Sequence, residues 1–181
     1  MRLKRHINEA KKRTVYHGDD YNTTKINPKM MGGGNSQVGV GIYFGTEKIA
    51  NFYGKNIVSI DIDPKDFRDG MADIDTMLNT STAVKIITYL HKKDPDFWYI
   101  FSDYVGVASP EEVENYHFEE LWDMMKVTEA RNFQIELMQA SNAKVFVEAW
   151  NKYTKIHGLY EKSTDFWSVI NTKYKVTKVS P

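Results

Sequence analysis

A chain of 181 residues with 41% hydrophobic and 13% aromatic content is the size of one ordinary domain and can bury a sizeable core, which excludes bulk disorder. Its 24 basic and 24 acidic side chains cancel, so no global positive field favours nonspecific binding along nucleic acid. The absence of cysteine excludes disulfide frameworks, thiolate metal sites, zinc ribbons and cysteine nucleophiles, and suits a reducing compartment.

The charge is unevenly spread. Residues 1–30 carry 8 basic and 3 acidic side chains, 31–93 carry 7 and 7, 94–148 carry 3 and 12, and 149–181 carry 6 and 2. Two basic ends flank an acidic middle. The opening run from Met1 to Arg13 lacks the apolar stretch of a secretory signal, and no window approaches a membrane span, so the chain reads as soluble and cytoplasmic.

Residues 1–13 form a short basic helix, with Leu3, Ile7 and Ala10 on one side, or a frayed arm. Thr14 to His17 reads as a strand that Gly18-Asp-Asp20 breaks with a turn. A long loop from Asp20 to Gly39 follows, holding Pro28 and the run Gly32-Gly-Gly-Asn-Ser36. Val40 to Phe44 suits a strand. Thr46 is a plausible N-cap for a helix that runs to Tyr53 and stops at Gly54, and Asn56 to Asp63 alternates as a half-buried strand.

From Asp73 to about Gly158 the apolar residues recur at three and four, which predicts three to five helices. Ser109-Pro110-Glu-Glu, Thr128 and Ser141 are candidate helix starts, and the last helix ends at His157-Gly158. Leu159 to Glu161, Asp165 to Ile170 and Tyr174 to Val179 predict two or three short strands. The expected architecture is one α+β domain: arm at 1–13, a first half at 14–69, a helical insert at 70–157 and C-terminal strands at 158–181.

Two stretches carry the chemistry: Val15-Tyr-His-Gly18 and Gly39-Val-Gly-Ile-Tyr-Phe44 followed by Ala50 and Tyr53. Together they resemble the ADP-ribosyltransferase superfamily, in the histidine-tyrosine-glutamate branch of poly(ADP-ribose) polymerases and diphtheria-type toxins. The resemblance covers residues 14–62 well and 156–179 loosely, and leaves the acidic helical middle unmatched. It implies an ADP-ribosyltransferase-like split antiparallel β core with an acidic helical insertion.

The resemblance also implies NAD as co-substrate, with no metal. His17 would bond a ribose hydroxyl, Gly18 would let backbone approach the nicotinamide carboxamide, and Tyr43 and Tyr53, with Ala50, would clamp the flat ring. The loop of Gly32 to Gly34, with Lys29, would lie near the adenosine or pyrophosphate. Cleavage of the nicotinamide–ribose bond passes through an oxocarbenium-like state that a carboxylate stabilises. The family's glutamate begins a late strand. Here Asp165 stands in that place, one methylene shorter, with Glu161 as the alternative acid.

The activity implied is transfer of a single ADP-ribose to a host or partner protein, releasing nicotinamide, as in small bacterial or phage effectors acting in a cytoplasm. The alternative is a catalytically inactive binding module that keeps the pocket and acts through protein–protein contacts. A nucleic-acid acceptor is less favoured, because the middle of the chain is acidic.

Other features read as structural. Gly32-Gly-Gly lacks the Gly-Lys-Ser/Thr of a P-loop, and Gly39-Val-Gly41 lacks a third glycine. His91, His117 and His157 have no metal-ligand spacing. Glu111, Glu112, Glu114, Glu119 and Glu120 suggest a solvated helix face or a partner surface, and Trp122, Trp150 and Trp167 suggest core.

Overall fold

The computed structural model describes residues 12–20, 23–31, 38–94, 96–105 and 118–179. The expected arm at 1–11, the glycine run at 32–34, the capping sequence at Ser109-Pro110, and Glu111, Glu112, Glu114 and His117 lie outside these residues. The described chain is α+β.

Strand β1, Arg13–Asp19, does not stop at His17 as expected. It runs on because Gly18 and Asp19 sit opposite Ile57 and Asn56 of the antiparallel strand β3, Asn56–Ile62. Turn propensity at Gly18-Asp-Asp20 yields to ladder pairing, as strand preferences commonly yield to context. Strand β2 is the short Ile42–Phe44. Helix α1, Glu47–Tyr53, starts where Thr46 accepts a hydrogen bond from the Ile49 amide, the cap expected from the sequence.

Two glycines let α1 lie directly on β1. A Cβ at Gly18 would meet the Ala50 carbonyl oxygen at 1.9 Å, and one at Gly54 would meet the Asp19 carbonyl carbon at 2.4 Å. Any side chain at either place would push helix and strand apart. The glycine before the helix and the glycine after it therefore fix the same packing contact.

Strands β1 and β3 pair in one sheet with β7, Thr177–Lys178. The other sheet has the order β2, β6, β5, β4, where β4 is Phe67–Asp69, β5 is Gly158–Glu161 and β6 is Phe166–Val169. The β4–β5 pair is parallel, which departs from the expected split antiparallel core. Strand β4 is too short, and too close to Pro64, to show in the period-two pattern.

Parallel neighbours need a long crossover, and here the helices supply it. They are α2 (Thr80–Lys93), α3 (Phe97–Val105), α4 (Phe118–Met125), α5 (Ala130–Gln139) and α6 (Ala143–Tyr153). Side chains of Ile87, Phe101, Trp122, Phe133 and Trp150 join Val15, Phe44, Ile60 and Val169 of the strands in one buried cluster. The helical region is thus part of the same core as the sheets.

Three helix boundaries differ from expectation. Helix α5 is preceded by Glu129, with no side-chain cap, so Thr128 is not its N-cap. Asn142 rather than Ser141 caps α6, accepting from the Val145 amide, while the Ser141 hydroxyl donates back to the Leu137 carbonyl. The last helix ends at Tyr153, and Gly158 opens β5. Asparagine and serine are comparable N-caps, and here the serine hydroxyl is already engaged with the preceding helix while Asn142 is placed to accept from Val145.

The tryptophans at 122, 150 and 167 are buried, as expected. Glu119 and Glu120 are exposed on α4. No helix among the described residues is long and apolar enough to cross a membrane.

Candidate functional site: a cleft where the sheets part

An isolated backbone bridge joins the two sheets. Tyr16 and Gly45 exchange backbone hydrogen bonds of 2.9 and 2.8 Å, an isolated bridge that no ladder between β1 and β2 continues among the described residues. Beside the bridge the His17 side chain links the strands, its Nδ1 lying 2.7 Å from the Tyr43 carbonyl oxygen. A cleft of about 500 Å³ opens there. Its size is within the range of small-molecule sites.

Each wall comes from a different element. β1 contributes His17, Gly18 and Asp19, β2 contributes Tyr43, α1 contributes Ala50 and Tyr53, and β6 contributes Phe166. His17, Gly18, Tyr43, Ala50 and Tyr53, which the sequence places together only by resemblance, thus line one hollow. Asp165 and Glu161 do not line it.

The carbonyl of Tyr43 can only accept, so the His17 Nδ1 carries the hydrogen and donates it. The other ring nitrogen, Nε2, then faces Asp19, with 3.4 Å between Nε2 and Oδ2. His17 also packs against the Phe44 ring at 5.5 Å, which fixes its plane. Because side chains alternate along a strand, His17 and Asp19 share a face of β1.

Four aromatic residues line the cleft, Tyr16, Tyr43, Tyr53 and Phe166, rather than the expected two tyrosines. Phe166 stands 6.4 Å from Tyr43 and 6.5 Å from Tyr53. Tyr43 is tethered through its hydroxyl, which donates to the Gly39 carbonyl at 2.6 Å. Tyr53 is 61% exposed at the mouth and leans edge-on against Phe52. One tyrosine is therefore fixed and the other has room to close on a ligand.

The acids differ from expectation. Asp165 precedes β6, has a φ of 57°, and is ion-paired to Arg13, whose guanidinium lies 5.5 Å from the Trp167 ring centre. Glu161 accepts from the hydroxyls of Ser163 and Thr164 in the turn between β5 and β6. The residue that opens the late strand and faces the cleft is Phe166.

The carboxylates that do line the cleft are Asp19 and Asp20. Asp19 is nine-tenths buried and accepts from the Thr23 hydroxyl. Sequence reasoning missed it by ending β1 too early. Read as strand, residues 17 and 19 fall on one face by period two alone.

Among the described residues no lysine or arginine lines the cleft, so the described walls offer negative charge and π-faces. Such a lining suits a flat cation. Lys29 lies within the Asn27-capped turn Pro28–Met30, outside the cleft lining.

A second polar cluster lies elsewhere. The His157 Nδ1 is 2.7 Å from the Tyr174 hydroxyl and 3.5 Å from Asp66 Oδ2. Burial, with Asp66 and Asp63 nearby, pushes the Tyr174 phenol well above its usual value near 10. His91 packs on Trp98 at 4.9 Å. Among the described residues no group of three or more His, Asp or Glu side chains is placed to hold a metal ion.

The sequence matches no protein-family model and no curated protein. Among solved structures it is similar to an anti-CRISPR protein known from a crystal structure, at 12% identity and a TM-score of 0.36 over 94% of this chain and 98% of that one. A likeness that low carries no argument about fold or function.

Proposed function

We propose that this chain binds NAD by its nicotinamide riboside end and transfers a single ADP-ribose to a protein acceptor, releasing nicotinamide. The observation that supports this most is the convergence of His17, Tyr43 and Tyr53 on one cleft at the parting of the sheets. The ring of oxidised nicotinamide is a flat cation. A lining with Tyr16, Tyr43, Tyr53, Phe166 and two carboxylates, and no lysine or arginine among the described residues, favours that end of the dinucleotide over its pyrophosphate. The pyrophosphate would leave the cleft toward solvent.

In the transfer, the bond between ribose C1′ and the ring nitrogen breaks, and its electron pair goes to the ring, leaving neutral nicotinamide. The acceptor atom supplies the pair for the new bond to C1′ and gives up its proton to a base. Positive charge grows on the ribose between these events, where a nearby carboxylate lowers the barrier. The neutral overall charge and acidic middle favour a protein acceptor over nucleic acid.

A specific observation favours a second reading. Phe166 stands at the strand start where the family's acid is expected, and Asp165 is held away by Arg13. A chain that grips NAD without cleaving it, and acts through protein contacts, would look the same. Incubating the protein with NAD and following free nicotinamide, with mass spectrometry of added proteins for gains of one ADP-ribose, separates the two. Release with mass gain supports transfer. NAD bound with neither product supports the binding module.

A further inference from the structure

We propose that Gln134, on helix α5, is a positioning residue for the cleft: it holds the peptide unit between Gly39 and Val40, on which the Tyr43 hydroxyl is anchored. The expected effect on ligand binding rests on the NAD reading above, whereas the geometry stands without it.

The chain enters β2 by an irregular path. Gly39 and Gly41 take φ values of 112° and 153°, which residues with side chains rarely adopt, and Val38 and Val40 beside them are buried. Residues 38–40 lie outside any strand, so their buried backbone groups need partners other than a ladder. Side chains from three elements supply them. The Val40 amide donates to Gln134 Oε1 at 3.3 Å, the Val40 carbonyl accepts from the Ser168 hydroxyl of β6 at 2.7 Å, and the Gly39 carbonyl accepts from the Tyr43 hydroxyl at 2.6 Å.

The Gly39 carbonyl and the Val40 amide belong to one planar peptide group, with its oxygen and hydrogen on opposite sides. Gln134 therefore grips one edge of that plane and Tyr43 the other. Turning the plane breaks both bonds at once, and Gly39 is the residue whose freedom would let it turn. Gln134 is fully buried, and its Nε2 has no hydrogen-bond partner among the described residues. Burying an amide with one half bare is unfavourable, and a methionine would fill the same space without that cost, so packing alone does not account for a glutamine here.

From this peptide the contacts run into the site. Val38 and Tyr43 line the cleft, and the Tyr43 carbonyl takes the His17 Nδ1 hydrogen. Gln134 is not among the lining residues and acts through Tyr43. The helical region, which the resemblance leaves unmatched, thereby sets one wall of the cleft.

The test compares the full chain as native protein, Gln134→Met, Tyr43→Phe and the double variant, each isotopically labelled at the tyrosine ring carbon that bears the hydroxyl and read by NMR. Tyr43→Phe identifies the Tyr43 signal by removing it. In Gln134→Met that signal should move while circular dichroism shows the fold retained. By calorimetry, NAD affinity should fall about fivefold in each single variant and no further in the double, because both remove one clamp. A Tyr43 signal that stays in place in folded Gln134→Met overturns the proposal, and so do losses that multiply in the double variant. If Gln134→Met does not fold, exchange of the Val40 amide hydrogen decides: it should be about fivefold faster in Tyr43→Phe than in the native protein, and an unchanged rate overturns the clamp. A moved Tyr43 signal with no NAD bound by the native protein leaves Gln134 its role and overturns the NAD reading instead.

Discussion

Arg13, at the start of β1, holds Asp165 in an ion pair, and in doing so ties the first strand of one sheet to the turn that enters the other. Asp165 takes a left-handed backbone conformation there, one residue before Phe166 turns into the cleft. The pair is structural. Both side chains are about two-fifths exposed, which limits the pair to about 1 kcal/mol or less.

Asp165→Asn and Glu161→Gln should therefore leave NAD affinity and any nicotinamide release within about twofold of the native protein, with stability down by about 1 kcal/mol at most. Asparagine also tolerates the positive φ. Calorimetry and chemical denaturation check this. A loss of release of a hundredfold or so in either variant, with the fold intact, would restore the acid to the place the resemblance gave it.

The cleft should prefer oxidised over reduced dinucleotide. Reduction removes the ring's positive charge, and with it the attraction of the aromatic faces and of Asp19 and Asp20. An affinity ratio of about ten or more in favour of NAD over NADH is expected, and Tyr53→Ala should shrink it. Equal affinities would mean that the ring does not enter this cleft.

Gly18→Ala should damage fold and site together. The added methyl would overlap the Ala50 carbonyl, and neither backbone can move without unseating α1 from β1. Overpacking of that kind costs about 2–3 kcal/mol. For a chain of this size the melting temperature should fall by roughly 4–12 °C. Differential scanning calorimetry reads it directly, and an unchanged melting temperature would show that the helix rides less tightly on the strand.

Which parts of this could be read from the sequence follows from what fixed them. The cap at Thr46, the stop at Gly54 and the alternation through β3 are local, and they appear where residue chemistry puts them. The extension of β1 through Asp19 depends on β3 across the sheet, so turn residues hid it. Which of Asp165 and Phe166 enters the cleft is set by one backbone dihedral and by Arg13, 152 residues away in the chain. No periodicity carries that information. The tyrosines and the histidine come together as a set only through the resemblance, because the local signals of β1, β2 and α1 do not say that the three elements converge.

Tyr174 predicts an alkaline signature. Its phenol is raised in the folded state, so the neutral form is favoured by folding. Its contribution is fully present below the ordinary value near 10 and is lost as pH rises from there toward the folded-state value. Denaturation midpoints measured from about pH 9 to 12 should fall, and Tyr174→Phe should fall less steeply over the same range. A variant with the same slope as the native protein would remove Tyr174 as the cause.

A crystal structure of the protein soaked with NAD tests the account most directly. The nicotinamide ring should lie against Tyr43 and Tyr53 beside Phe166, with its ribose next to His17. Density for the dinucleotide on another surface, with the parting between β1 and β2 empty, would contradict the central claim.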